Sequence, residues 1–139
     1  MRFAGVIVAA GRGTRSGAAQ PKQYVDLAGK MILRRTIEAM LAHPACTDLT
    51  VVIHADDADS YARAVAGLSD ARLRPPVVGG ASRTASVRAG LDALASDAPQ
   101  NVLIHDGARP FVSSPVIDGV LAGLEKADGA CPALPVVDA

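Results

Sequence analysis

Residues 3–10 form an almost unbroken apolar run, FAGVIVAA, and the chain passes directly from it into GRGTRSGAAQPK, which holds Gly11, Gly13, Arg12, Arg15 and Lys22. An apolar run of strand length without polar alternation is expected where both faces of a strand are covered, as in a parallel sheet flanked by helices. The loop opens at the carboxyl end of that strand. Gly11 and Gly13 lack a Cβ and can adopt positive φ, so successive N–H groups can converge on an anion, while Arg15 and Lys22 bring full charge to the same place. A nucleotide is the ligand such a loop suits. A flexible basic turn after a buried strand is the competing reading, because glycine-rich turns are common punctuation.

Two familiar phosphate loops do not match. A Walker A loop needs Gly-Lys-Ser/Thr opening a helix, whereas Lys22 lies far downstream, behind Pro21. The dinucleotide fingerprint needs glycine where Ser16 stands and an acidic residue about 20 residues further on, which the stretch 30–35 lacks. What remains is longer and more basic than either, and suits a triphosphate undergoing chemistry.

Beyond the loop the apolar period switches repeatedly between strand and helix. Ile32, Leu33, Ile37, Met40 and Leu41 recur at helical spacing and must stop near His43-Pro44. The stretch 49–54 reads as a strand, Asp56 to Asp59 as caps for a helix through Tyr61, Val65 and Leu68, and 73–78 as a short third strand. Ser82 can cap a helix carrying Val87, Leu91 and Leu94, and 101–105 is a fourth strand that delivers Asp106 and Arg109. Ser114-Pro115 starts a helix with Val116, Ile117, Val120, Leu121 and Leu124 inward, and a last extended run begins near Ala130. Strands alternating with single helices imply parallel pairing and a three-layer α/β/α sandwich.

At 139 residues with half of them apolar, the chain has room for one domain. Its formal net charge is zero, which argues against a general nucleic-acid or anionic-membrane surface, so the basic loop is local placement. Lys22 is one of only three lysines, which makes its place beside the loop more telling. Cys46 and Cys131 belong to no metal or redox spacing and read as buried or incidental thiols; His43, His54 and His105 are likewise scattered and read as structural or surface residues. No signal peptide or membrane-length span is seen, and a cytoplasmic location is expected.

In such sheets the ligand crevice lies beyond the carboxyl ends of the strands. Loop 11–22 follows the first strand, Gly79-Gly80 with Ser82, Arg83 and Ser86 the third, and Asp106 to Arg109 the fourth. Taken with their spacing, Ala9-Ala10-Gly11-x-Gly13-x-Arg15, Pro21-Lys22-Gln23-Tyr24, Gly79-Gly80-x-x-Arg83-x-x-Ser86-Val87 and His105-Asp106-x-Ala108-Arg109-Pro110-Phe111 resemble the 2-C-methyl-D-erythritol 4-phosphate cytidylyltransferases over essentially the whole chain. The first motif is shared by many nucleotidyltransferases; the second and fourth narrow the match to this family and to its relatives acting on ribitol phosphate.

That resemblance implies a Rossmann-like nucleotidyltransferase fold and transfer of CMP from CTP to methylerythritol phosphate, with Mg²⁺ on the triphosphate and a homodimeric full-length protein. It implies Arg15 and Lys22 as catalytic residues at the α-phosphate. CTP would be bound by Ala9, Ala10, Gly11, Gly13, Lys22, Gly80, Ser86 and Asp106, and methylerythritol phosphate by Asp106 and Arg109, with Asp106 as the one residue able to reach the metal. Ser86 as a hydroxyl bonding its own backbone, Asp106 as a turn residue and Arg109 as a surface ion pair remain open beside these roles.

Val8, Ser16, Ala81 and Ala139 depart from the commonest family pattern, and the Val-Ala-Ala-Gly-Arg-Gly variant resembles bifunctional forms fused to a cyclodiphosphate synthase. Similar proteins continue past the position of Ala139, so residues 1–139 are expected to be one nucleotidyltransferase domain, incomplete at its C-terminal end. The alternatives are another nucleotidyl transfer, of the ribitol phosphate, acidic-sugar or molybdopterin type, or a nucleotide-binding module without turnover.

Overall fold

The computed structural model describes residues 1–12 and 20–137, so Gly13, Arg15 and Asp138 lie outside the described residues. The first strand, β1 (Phe3–Ala9), is buried along its whole length. A two-stranded hairpin, β2 (Asp26–Leu27) and β3 (Lys30–Met31), leads into helix α1 (Ile32–Leu41) and strand β4 (Cys46–Ile53). Helix α2 (Ala58–Ala64), strand β5 (Val77–Val78), helix α3 (Arg83–Leu94), strand β6 (Val102–Asp106) and helix α4 (Ser114–Leu124) complete the order.

The main sheet runs β5-β4-β1-β6, and every ladder in it is parallel. From β1 the chain moves outward through β4 to β5, then crosses back to place β6 on the other side of β1. The order therefore reverses between β1 and β6, and the carboxyl edge there is where doubly wound sheets bind ligands.

Alternation along β1 assigns the layers. Phe3, Ile7 and Ala9 join one core with Leu33, Ile37 and Met40 of α1, Tyr61 of α2, and Ile117 and Leu121 of α4. Ala4, Val6 and Val8 join Val52 and Leu94 in the other, under α3. Each fully buried Val or Ile contributes about 1.5–3 kcal/mol, so β1 is held firmly enough to carry a loop. Helix α3 can lie this close because Gly90 faces the sheet: a Cβ there would fall 2.5 Å from Val6 Cγ1.

The elements expected from periodicity form, with differences at their ends. Strand β4 begins at Cys46 rather than 49. The third strand shrinks from 73–78 to Val77–Val78 plus a single bridge from Leu49 to Leu73, because Pro75 and Pro76 have no N–H to give a ladder. Helix α2 stops at Ala64, short of Val65 and Leu68. Asp57 stands at the N-cap of α2 but makes no side-chain cap bond; the helix follows a 3₁₀ turn, Ala55–Asp57, which His54 caps, its Nδ1 accepting the Asp56 N–H at 3.0 Å. Ser82 does cap α3, accepting the Ala85 N–H at 3.1 Å.

The expected last strand makes no ladder among the described residues: residues 131–137 are unpaired, and Leu134, Val136 and Val137 are more than nine-tenths exposed. Pro132 and Pro135 again remove donors. The β2–β3 hairpin had no sequence expectation. Its turn needs positive φ at both Ala28 (51°) and Gly29 (92°), and alanine rarely supplies that. Arg35 of α1 supports it, donating to the carbonyls of Leu27 and Ala28.

Gly90→Val should lower stability to urea by about 1–3 kcal/mol, since it overpacks the α3 interface. Gly119→Ala, on the open face of α4 where a Cβ meets nothing, should raise it by about 0.5–1 kcal/mol. Unfolding midpoints of the two variants check both signs.

Candidate functional site

The carboxyl edge of the sheet opens into a cleft of about 570 Å³. Ala9, Ala10, Gly11, Lys22, Gly80, Ser86 and Asp106, all singled out in the sequence, line it together. Gly13 and Arg15 lie outside the described residues. Arg109 does not line the cleft: its side chain is 76% exposed, with Nε 3.6 Å from Asp106 Oδ2 at the rim.

Register explains the convergence. Ala9 pairs with Ile53, Ile53 with Val78, and Val8 with Asp106, so the loops after β1, β4, β5 and β6 all leave the sheet at one level. The loop after β6 is held in place by the Gly107 N–H donating to Val8 O at 2.9 Å and the Thr36 hydroxyl donating to Gly107 O at 2.9 Å. Asp106 is half-exposed, and its Oδ1 accepts the Ala108 N–H at 3.0 Å, leaving Oδ2 toward Arg109. His105 Nε2 closes the same turn on Arg109 O at 2.8 Å.

Ser86, 2% exposed, accepts the Gly80 N–H at 3.2 Å. Its oxygen thus steadies the Gly79-Gly80 turn, and its hydroxyl proton remains to be donated. Glycine is required here for space: a Cβ on Gly79 would sit 2.5 Å from Ser86 Oγ and 2.8 Å from Ala10 Cβ.

Eight further described residues line the cleft without having been assigned to a site: Val8, Ala81, Ser82 and Ala108, and the larger polar or charged Arg12, Gln23, His54 and Arg83. Arg12 Nη1 donates to Asp57 Oδ2 at 2.9 Å, and Asp57 is only 5% exposed. This arginine therefore ties the loop to the connection between β4 and α2. Beside it, the Tyr24 phenol is pushed above its ordinary range, first by burial and then by the Asp57 charge. His54 lines the cleft with its Nδ1 turned back to accept the Asp56 N–H at 3.0 Å. Position at a strand end was the available signal for His54. Asp57 and Gln23 act through contacts 45 and 12–14 residues away, which no local pattern reveals.

Lys22 and Arg83 have no ion-pair partner among the described residues, and Asp106 is the one carboxylate among the described lining residues. The wall is thus net positive, as a polyphosphate requires. Elsewhere, His43 is structural: its Nε2 bonds Asp118 at 2.7 Å, and its ring lies against Phe3. Cys46 is buried, which pushes its thiol up to about 11, and Cys131 is exposed.

A doubly wound α/β sheet with a basic, glycine-lined cleft at its order reversal defines a Rossmann-like protein of the nucleotidyltransferase type. The chain belongs to the family described as IspD, 2-C-methyl-D-erythritol 4-phosphate cytidylyltransferase, whose model matches residues 3–139. It is 48% identical over 137 residues to a bifunctional IspD/IspF enzyme of Nitrobacter winogradskyi, covering 99% of this chain and 34% of that protein. A protein of the same description from Paramagnetospirillum magneticum is 50% identical over 133 residues, again 34% of its length. The chain thus spans about a third of these curated relatives. Among solved structures, the 4-diphosphocytidyl-2C-methyl-D-erythritol synthase of Anaerococcus prevotii is similar with a TM-score of 0.72 and 30% identity, covering 90% of this chain and 51% of that one. No helix among the described residues is long and apolar enough to cross a membrane.

Arg12→Met strands a buried carboxylate and should cost about 1–3 kcal/mol in stability to urea. Asp57→Asn keeps an acceptor for Arg12 and should cost less. Comparison of the two unfolding curves checks the order, and equal losses would mean that burial of Asp57 is not what makes the pair matter.

Proposed function

We propose that this chain supplies the nucleotide-binding part of a cytidylyltransferase domain that transfers CMP from CTP to 2-C-methyl-D-erythritol 4-phosphate, releasing pyrophosphate. The observation that carries this reading is the shared cleft, in which the loop after β1, Lys22, the Gly79-Gly80 turn and Asp106 meet. The family membership supplies the substrate class.

The reaction joins two anions. A phosphate oxygen of the acceptor attacks the α-phosphorus of CTP, and the bond from that phosphorus to the oxygen bridging to pyrophosphate breaks. Negative charge grows on the α-phosphoryl oxygens and on the leaving group, so fixed cations and donors that meet it lower the barrier. In this reading Lys22 and Arg15 stabilise that charge, and Gly11 and Gly13 offer backbone donors to the triphosphate. Ala9, Ala10, Gly80 and Ser86 frame cytosine and ribose. Asp106 faces ribose or the acceptor hydroxyls, and Arg109 binds the acceptor phosphate from the rim.

The donor set suits a magnesium ion that travels with the nucleotide. No group of three or more acidic, histidine or thiol side chains is placed to hold a metal among the described residues, and Asp106 supplies a single carboxylate at the cleft. One carboxylate together with phosphate oxygens is a usual Mg²⁺ environment. When bound, the ion supplies charge neutralisation across the phosphates. The reading also carries a homodimeric full-length protein in the cytoplasm.

Pyrophosphate release by the full-length protein, with CTP and each of several acceptors, tests the assignment. Release is expected with methylerythritol phosphate; release with ribitol phosphate alone, or none with any acceptor, contradicts it. Lys22→Met and Arg15→Met should each lower kcat about 10²-fold or more, as loss of a transition-state donor does. A rise in KM at unchanged kcat would instead mark a ground-state clamp.

A further inference from the structure

We infer that Gln23 is a positioning residue that aims two backbone amides of the loop after β1, those of Ala10 and Arg12, at the anionic ligand; this rests on the polyphosphate reading of the cleft. The Gln23 side chain, 6% exposed, donates from Nε2 to Ala9 O at 2.8 Å and to Gly11 O at 3.1 Å. Both hydrogens of its amide group are therefore used, each on a carbonyl of the same loop.

Peptide geometry turns this clasp into an orientation. Every described peptide bond is trans, and in a planar trans peptide the C=O of one residue and the N–H of the next point in opposite directions. With Ala9 O and Gly11 O both held toward Gln23, the N–H groups of Ala10 and Arg12 are directed away from it. Neither amide has a main-chain acceptor among the described residues.

Without the clasp the loop has little to prevent a peptide flip. Gly11 lies between the two held carbonyls, and a Cβ there would meet nothing within 4 Å, so neither its φ range nor its surroundings fix the peptide. A flipped peptide would present a carbonyl oxygen where a donor is needed, replacing attraction by repulsion toward phosphate. Gln23 itself cannot drift, because Tyr24 beside it is 1% exposed in the main core and Tyr24 N–H donates to Pro21 O at 3.0 Å. The same short turn, Lys22–Tyr24, thus carries Lys22 at the cleft and sets the amides it would work with.

The test uses inorganic tripolyphosphate and CTP on ¹⁵N-labelled full-length protein. The Ala10 and Arg12 amide resonances are expected to move on saturation. In Gln23→Met, which keeps the volume but has no donor, the dissociation constant for tripolyphosphate should rise at least about tenfold, the factor for one charge-assisted hydrogen bond, and those two resonances should no longer respond. Ligand that binds the unaltered protein while both amides stay unmoved overturns the inference and leaves the functional reading standing. Unchanged affinity in a folded Gln23→Met protein also overturns it. If the unaltered protein binds neither probe, the functional reading itself fails. Should Gln23→Met not fold, Gln23→Leu, which also lacks both donors, takes its place with the same expected losses and the same overturning result.

Discussion

The structure depends on β1 being enclosed on all sides. It pairs with β4 along one edge and β6 along the other, and its two faces carry α1 and α3. A strand so enclosed has no freedom to slide, since a one-residue slip would exchange the residues packed in the two cores. Whatever leaves its carboxyl end is therefore fixed in position relative to the ends of the neighbouring strands. That is how a loop, the part of a fold most free to vary, becomes accurate enough for chemistry.

Charge at this edge is divided between holding and binding. Arg12 is spent on Asp57, a buried carboxylate that anchors the loop to the next strand connection. Lys22 and Arg83 are left facing the cleft, opposite one carboxylate. A cleft in which every cation was paired internally would hold an anion poorly, and one in which none was paired would have no fixed wall. Ser86 and Gln23 use neutral hydrogen bonds for the same purpose, fixing the Gly79-Gly80 turn and the loop after β1 without adding charge.

Much of this was legible in the residues. The β1 run, the α1 stripe, the Ser82 cap and the Ser114-Pro115 start are all local signals, and each corresponds to an element in the structure. The cleft residues from Ala9 to Asp106 could be grouped because strand ends share an edge in a parallel sheet. What could not be read depended on distant partners or on rare backbone. Arg12 had no role assigned from the loop pattern and is an anchor, because its partner Asp57 is 45 residues away. The hairpin at Ala28 needed an alanine with positive φ, against its preference. The short β5 was overestimated because apolar residues outweighed Pro75 and Pro76 in the pattern. The unpaired run after residue 130 has strand-like residues without a neighbour to pair with among those described.

The most direct test of the central claim, that the enclosed strand places a polyphosphate at its carboxyl end, is a crystal structure with CTP bound. The account predicts the triphosphate lying over the end of β1, with the Lys22 ammonium within salt-bridge distance of a phosphate oxygen and the nucleoside toward Gly80 and Ser86. A nucleotide seated elsewhere, such as along β6 and α4, or a Lys22 side chain turned away from the phosphates, would contradict it.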